Sequence, residues 1–138
     1  MNLVIDGSAT LAILLPDEKG SPQAALINDA VTEADALLAP AHWLLETTNG
    51  ILYATKGGRL GQLEAVEVLG IVQSLNVAFD NELNARVQRV FLLAQQHSLT
   101  IYDAAYLELA IRKDATLATL DKALKRAAEA NKVPCIPA

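Results

Sequence analysis

Short apolar segments alternate with longer segments of helical character along the whole of this 138-residue chain. Strands that are separated by helices pair in parallel, and the helices then cover both faces of the sheet. The pattern therefore predicts an α/β fold, a three-layer sandwich with a central parallel sheet. The predicted strands are 3–5, 36–39, 75–79, 117–120 and 133–136, and the predicted helices are 9–15, 21–34, 41–55, 60–73, 83–97, 104–111 and 122–130.

The chain contains no internal repeat or interdomain linker, so we expect one domain that spans residues 1–138. Pro134 and Pro137 predict that the last strand lies at an edge of the sheet, and 75–79 is expected at the other edge. The single cysteine, Cys135, excludes an internal disulfide and is interpreted as a small buried residue. No apolar run approaches the ~20 residues that span a bilayer, so we expect a cytoplasmic protein without a membrane segment.

Charge is distributed unevenly along the chain. The net charge of −5 argues against a broad basic surface for nucleic acid. Residues 1–50 hold seven acids and one base, whereas five of the eleven bases fall within residues 112–126, around Asp121. That basic group predicts either solvated helix faces or a local rim that contacts phosphate.

Four acids occupy boundaries between apolar segments and helices. Asp6 follows the first strand, and Asp121 separates the apolar run 116–120 from a helix. Asp103 follows residues 100–102, which are expected to be extended, and Glu46 lies early in the third helix among apolar neighbours. Because side chains at the carboxyl ends of parallel strands converge, these acids are candidates for one site. A single aspartate at a helix start is usually only a cap, so the set is more informative than any member.

Such a group of acids needs a compensating cation. Two carboxylates about 4 Å apart repel by about 4 kcal/mol at an effective dielectric near 20, so a cluster without a cation takes up protons instead. Oxygen ligands without His or Cys favour Mg²⁺ or Mn²⁺. Ions of this kind promote hydrolysis of phosphodiesters.

The chain resembles the PIN-domain ribonucleases, in particular the VapC toxins of toxin–antitoxin pairs. The resemblance covers essentially the whole length, and four motifs in family order carry it: VIDGSATLAILLPDE, APAHWLLETTNGI, LTIYDAAYLELA and LATLDKAL. It implies a PIN-like fold and Mg²⁺- or Mn²⁺-dependent endonuclease action on RNA. It also implies a homodimer and inhibition by a cognate antitoxin protein.

The resemblance also assigns roles to individual residues. Asp6 and Asp103 correspond to the primary metal ligands, and Glu46 and Asp121 to the remaining acids of the site. Thr119 matches a hydroxyl that orients water or phosphate. Ser8 and Asn49 are either hydrogen-bond partners of the acids or ordinary helix-capping residues. RNA contact is left to basic residues, namely Lys56, Arg59, Arg112, Lys122 and the rest of the 112–126 group.

Other interpretations fit the residues less well. A phosphorelay receiver needs adjacent acids after its first strand, and a haloacid-dehalogenase-type phosphatase needs an Asp at the position of Ser8. His42 and His97 are interpreted as ordinary helix residues, and Tyr102 and Tyr106, like the other aromatic residues, as core or interface residues. The remaining alternative is a non-catalytic PIN-like module that binds a partner protein and retains its acids for structure.

Overall fold

The structure is a computed structural model that describes residues 1–138. Five strands alternate with seven helices, as the sequence predicts. The strands are β1 (Asn2–Ile5), β2 (Ala36–Ala39), β3 (Val77–Phe79), β4 (Thr116–Ala118) and β5 (Cys135–Ile136). The helices are α1 (Gly7–Leu14), α2 (Pro22–Glu33), α3 (Trp43–Lys56), α4 (Gln62–Ser74), α5 (Leu83–His97), α6 (Ile101–Arg112) and α7 (Lys122–Ala130).

All five strands are parallel and lie in the order β3-β2-β1-β4-β5. The predicted parallel sheet is therefore confirmed, with β3 and β5 at its two edges. The strand order reverses at β1, which pairs with β2 on one side and with β4 on the other. In open parallel sheets, ligands bind beyond the carboxyl ends of the strands at such a switch point. Asp6 lies there, directly after β1.

The core is divided between the two faces of the sheet, which confirms the three-layer arrangement. Alternate residues of β1 point to opposite faces. Val4 belongs to a cluster of 25 buried residues, whereas Leu3 and Ile5 belong to a separate cluster of seven. Apolar side chains of the helices complete both clusters. None of the helices combines the length and the apolar character that crossing a membrane requires.

Two helix starts differ from the prediction at positions that matter for the site. Helix α1 begins at Gly7, and its N-cap is Asp6 rather than Ser8, because the Asp6 carboxylate accepts a hydrogen bond from the backbone N–H of Ala9. Helix α6 begins at Ile101, so the expectation of extended structure at residues 100–102 is wrong for Ile101 and Tyr102, whereas Thr100, the N-cap, is extended. The hydroxyl of Thr100 caps this helix by accepting from the N–H of Asp103 at 3.1 Å.

The remaining boundaries follow local chemistry. Ser21 caps α2 and Pro22 occupies its first position, as predicted. Gly57 ends α3, and Gly58 follows with a φ of +79°, a conformation that favours glycine. Cys135 is only half-buried, since it lies on the short edge strand β5.

Candidate acidic active site

Asp6 is the buried centre of the candidate site. Only 3% of the residue is exposed, and its carboxylate accepts three hydrogen bonds. Ala9 N–H and Ser8 Oγ donate to Oδ1 at 2.8 and 2.7 Å, and Thr119 Oγ1 donates to Oδ2. Burial raises the pKa of Asp6 to about 6 in spite of these bonds. Asp6 is therefore a carboxylate that the fold itself stabilises incompletely.

Two hydroxyl groups connect Asp6 to the segment after β4. Ser8 Oγ accepts from the N–H of Leu120 at 2.9 Å, and Thr119 Oγ1 accepts from the N–H of Asp121 at 3.0 Å. Asp121 is the N-cap of α7, as predicted, and accepts from the N–H of Leu124. The carboxyl ends of β1 and β4 are thereby held together through side chains that also orient Asp6.

Glu46 reaches the same edge from the first turn of α3. Its Oε1 accepts a hydrogen bond from the hydroxyl of Tyr106 at 3.2 Å. A Cβ at Gly7 would lie 2.8 Å from Oε1, so the carboxylate can approach α1 this closely only because residue 7 is glycine. Burial, and then the nearby charge of Asp103, raise the pKa of Glu46. The carboxylate of Glu46, on α3, therefore lies between α1 and α6.

The four predicted acids lie within electrostatic reach of one another. Glu46 raises the pKa of Asp6, and Asp103 raises the pKa of Glu46, in each case after burial as the larger cause. Burial and then Asp121 raise the pKa of Asp103. The structure thus gathers acids from the starts of α1, α3, α6 and α7 at the carboxyl edge of the sheet. Each acid lies close enough to at least one other for their negative charges to repel.

No lysine or arginine forms an ion pair with any of these acids. The nearest basic side chain is that of His42, whose Nε2 lies 3.9 Å from Glu46 Oε2. Burial lowers the pKa of His42, and its Nε2–H donates to the carbonyl oxygen of Tyr102 at 3.1 Å. No three His, Cys, Asp or Glu side chains are arranged as a ready-made metal cage. The acids share one edge without a protein cation to balance them.

Two predicted RNA-contacting residues lie on exposed surface, and a third is engaged by acids. Lys56 ends α3 with its Nζ over the ring of Tyr53, and Lys122 begins α7 beside the N-cap Asp121. Arg59 binds the exposed loop after α1 through ion pairs of 2.7 Å with both Asp17 and Glu18. Its guanidinium is therefore already bound to two carboxylates.

Arg112 is not part of a basic rim. Its side chain is 12% exposed, and its guanidinium binds Asp80 at 2.8 Å, Glu108 at 2.9 Å and Glu82 at 3.0 Å. The predicted RNA contact is instead the centre of a largely buried ion network that joins α6 to the segment after β3. The prediction of an RNA contact at Arg112 is wrong because the sequence does not show which acids of distant segments surround this cation. Among the bases of α7, Lys122 and Arg126 remain exposed.

Sequence reasoning missed the residues that surround Glu46. His42 was interpreted as an ordinary helix residue and Tyr106 as a core or interface residue, yet each has its ring or hydroxyl beside the acids. A signal was present, since Tyr106 lies three residues after Asp103 and His42 four residues before Glu46, spacings that share a helix face. Asn49, expected to accompany Glu46, is exposed and makes no side-chain hydrogen bond.

Comparisons with known proteins agree with this architecture. Ribonuclease VapC3 of Pyrobaculum aerophilum is 34% identical over 125 residues, which cover 90% of this chain and 92% of that protein. Among solved structures, PAE2754 of the same organism superposes with a TM-score of 0.72 at 20% identity, covering 99% of this chain and 85% of that one.

Two further solved structures share the fold. VapBC2 of Rickettsia felis, solved with a promoter DNA fragment, has a TM-score of 0.66 at 16% identity, covering 98% of this chain and 97% of that one. VapC20 of Mycobacterium tuberculosis, a toxin that cleaves the sarcin–ricin loop, has a TM-score of 0.59 at 17% identity, covering 91% and 94%. The sequence profile of the PIN domain matches residues 3–130. The chain therefore belongs to the PIN-domain family and, within it, to the VapC group.

Proposed function

We propose that this protein is a VapC-type toxin, an endoribonuclease that hydrolyses RNA phosphodiester bonds with the help of Mg²⁺ or Mn²⁺. The observation that carries the proposal is the uncompensated acidic edge. Asp6 is 3% exposed, burial raises its pKa to about 6, and the nearby charge of Glu46 raises that pKa further. Family membership and the ribonuclease relative support the same activity.

The donor set fits a hard divalent cation. The groups that face one another are carboxylates, and hydroxyls hold the most buried of them, which suits Mg²⁺ or Mn²⁺ better than zinc. Asp6 and Asp103 would hold the ion directly, with Glu46 and Asp121 completing its surroundings. A bound cation supplies positive charge that offsets the acids and polarises a phosphodiester toward attack by water. Its binding would offset the burial and the mutual repulsion that raise the pKa of Asp6, Glu46 and Asp103.

The chain's own residues prepare the site for this chemistry. Ser8 and Thr119 fix the two oxygens of Asp6, so this carboxylate needs little rearrangement when substrate arrives. Thr119 also holds the backbone N–H of Asp121 and thus sets the position of α7. Lys122 and Lys56 are the exposed predicted bases that remain available for RNA phosphates, since Arg59 and Arg112 already bind carboxylates.

We include a cognate antitoxin and a second copy of the chain among the proposed partners. Helices α3 and α4 expose large apolar side chains, with Leu45 at 76% and Leu63 at 79% exposure. Exposed apolar side chains of this size are typical of protein interfaces. The protein would be held inactive in the cytoplasm until the antitoxin is removed.

The experiment that tests the proposal is RNA cleavage by purified protein freed of any antitoxin. Wild-type protein is incubated with a panel of structured RNAs in Mg²⁺, in Mn²⁺ and in EDTA, beside Asp6→Asn and the exposed control Asp29→Asn. We expect metal-dependent cleavage by wild type and by the control, and none by Asp6→Asn. Wild-type protein that cleaves no RNA in either metal would favour the alternative, a non-catalytic module that binds a partner protein. The observation on the side of that alternative is that no three His, Cys, Asp or Glu side chains form a ready-made metal cage.

A further inference from the structure

Glu46 has one side-chain hydrogen-bond donor, and it comes from another helix. The hydroxyl of Tyr106 donates to Oε1 at 3.2 Å. On the α1 side, Oε1 lies so close to Gly7 that a Cβ there would come within 2.8 Å of it. The same oxygen is therefore held between a hydrogen-bond donor on α6 and the backbone of α1.

The ring of Tyr106 is a fixed support for this bond. The residue is fully buried, at 0% exposure, and its ring contacts the edge of His42 with centroids 5.0 Å apart. Tyr106 lies one turn after Asp103 on α6, so it couples the helix of one acid to the carboxylate of another. A buried ring with two torsions loses little freedom when it makes such a bond.

Without the bond from Tyr106, the side chain of Glu46 would be expected to adopt several rotamers. Its side chain is 37% exposed, and a glutamate side chain has up to about 2 kcal/mol of rotamer entropy to lose when it is ordered. Its second oxygen, Oε2, accepts no side-chain hydrogen bond, since Nε2–H of His42, 3.9 Å away, donates to the carbonyl oxygen of Tyr102. Tyr106 thus occupies Oε1 and leaves Oε2 as the oxygen available to a ligand.

We propose that Tyr106 is a positioning residue that selects the Glu46 rotamer and presents Oε2 to the divalent cation. The inference rests on the proposed function and deepens it. Tyr106 touches neither substrate nor metal; it acts through Glu46. Residues that orient the carboxylates of a metal site typically contribute 10- to 100-fold to metal affinity or activity, and we expect an effect of that size.

The test is Tyr106→Phe, which removes one oxygen and keeps the buried ring. The matched control is Tyr102→Phe, the same change on an exposed ring whose hydroxyl makes no hydrogen bond. Mn²⁺ affinity is measured by isothermal titration calorimetry, and the melting temperature in EDTA is recorded for each protein. We expect Mn²⁺ binding to weaken about tenfold or more in Tyr106→Phe, with kcat lowered, KM for RNA unchanged and the Tyr102→Phe variant like wild type.

A double-mutant cycle separates positioning from general support of the fold. In a Glu46→Ala background Tyr106→Phe should cause no further loss of Mn²⁺ affinity, because the carboxylate that Tyr106 positions is already absent. Equal Mn²⁺ affinity in the two Tyr→Phe variants, or additive losses in the cycle, would overturn the role of Tyr106 while leaving the proposed function intact. Wild-type protein that binds no Mn²⁺ and cleaves no RNA would overturn the proposed function first, and this inference with it.

Discussion

Replacing Asp6 with Asn should make the metal-free protein more stable at neutral pH, although the same change should abolish cleavage. Asp6 is 3% exposed, and burial raises its pKa from 3.8 to about 6. At 1.36 kcal/mol per unit, keeping this residue charged in the fold costs about 3 kcal/mol. Asn carries no charge, and as an N-cap it still accepts from the N–H of Ala9.

The direction of the pH dependence follows from the raised pKa. Well below pH 3.8 Asp6 is protonated in both the folded and the unfolded chain, and its contribution to stability is fully present. As the pH rises toward and past about 6, the unfolded state releases the proton first, so that contribution is lost. The advantage of Asp6→Asn should therefore grow from near zero well below pH 3.8 to about 3 kcal/mol above pH 7.

Urea unfolding in EDTA at pH 4.5 and at pH 7.5 measures this difference, with Asp29→Asn as the exposed control. Adding Mn²⁺ at 100 times its Kd should stabilise wild type by about 2.7 kcal/mol and the Asp6 variant much less. An Asp6→Asn protein that is less stable than wild type at pH 7.5, or an advantage that does not change with pH, would refute the reasoning.

Two further substitutions test the packing around the site. Gly7→Ala places a Cβ 2.8 Å from Glu46 Oε1, so RNA cleavage should fall at least about tenfold while circular dichroism stays native; the control Gly70→Ala meets open space on α4 and should retain activity. Arg112→Leu leaves two buried carboxylates unpaired and should cost about 3–5 kcal/mol in urea unfolding at pH 7. Burial raises the pKa of Asp80, but its hydrogen bonds, above all those from Arg112, lower that pKa below the ordinary value overall. The stability of the wild type should therefore fall as the pH falls and Asp80 is protonated, and the Arg112→Leu variant should not show this loss.

Local signals predicted the fold and the positions of the acids well. Short apolar runs between helices specified a parallel sheet, and Asp121 caps α7 as its sequence position indicates. Asp6 lies at the carboxyl edge of the sheet because it directly follows β1. These features depend on neighbours in sequence, which is why they could be derived without coordinates.

Features that depend on contacts between distant elements were missed or mistaken. The bond from Tyr106 to Glu46 spans 60 residues, and the bond from Thr119 to Asp6 spans 113. Arg112 looked like a free cation because Asp80, its partner from the segment after β3, lies 32 residues away. The start of α6 was misplaced for a local reason, since Thr100 is an N-cap that ends the extended run earlier than Asp103 suggests.

The proposed function requires that the four acids at the carboxyl edge together form a divalent cation site. Anomalous scattering from crystals grown with Mn²⁺ tests it most directly. We predict a peak bounded by Asp6, Glu46, Asp103 and Asp121 in wild-type crystals, and none in crystals of Asp6→Asn. Fully occupied Mn²⁺ elsewhere on the protein, with no peak at this edge, would contradict the claim.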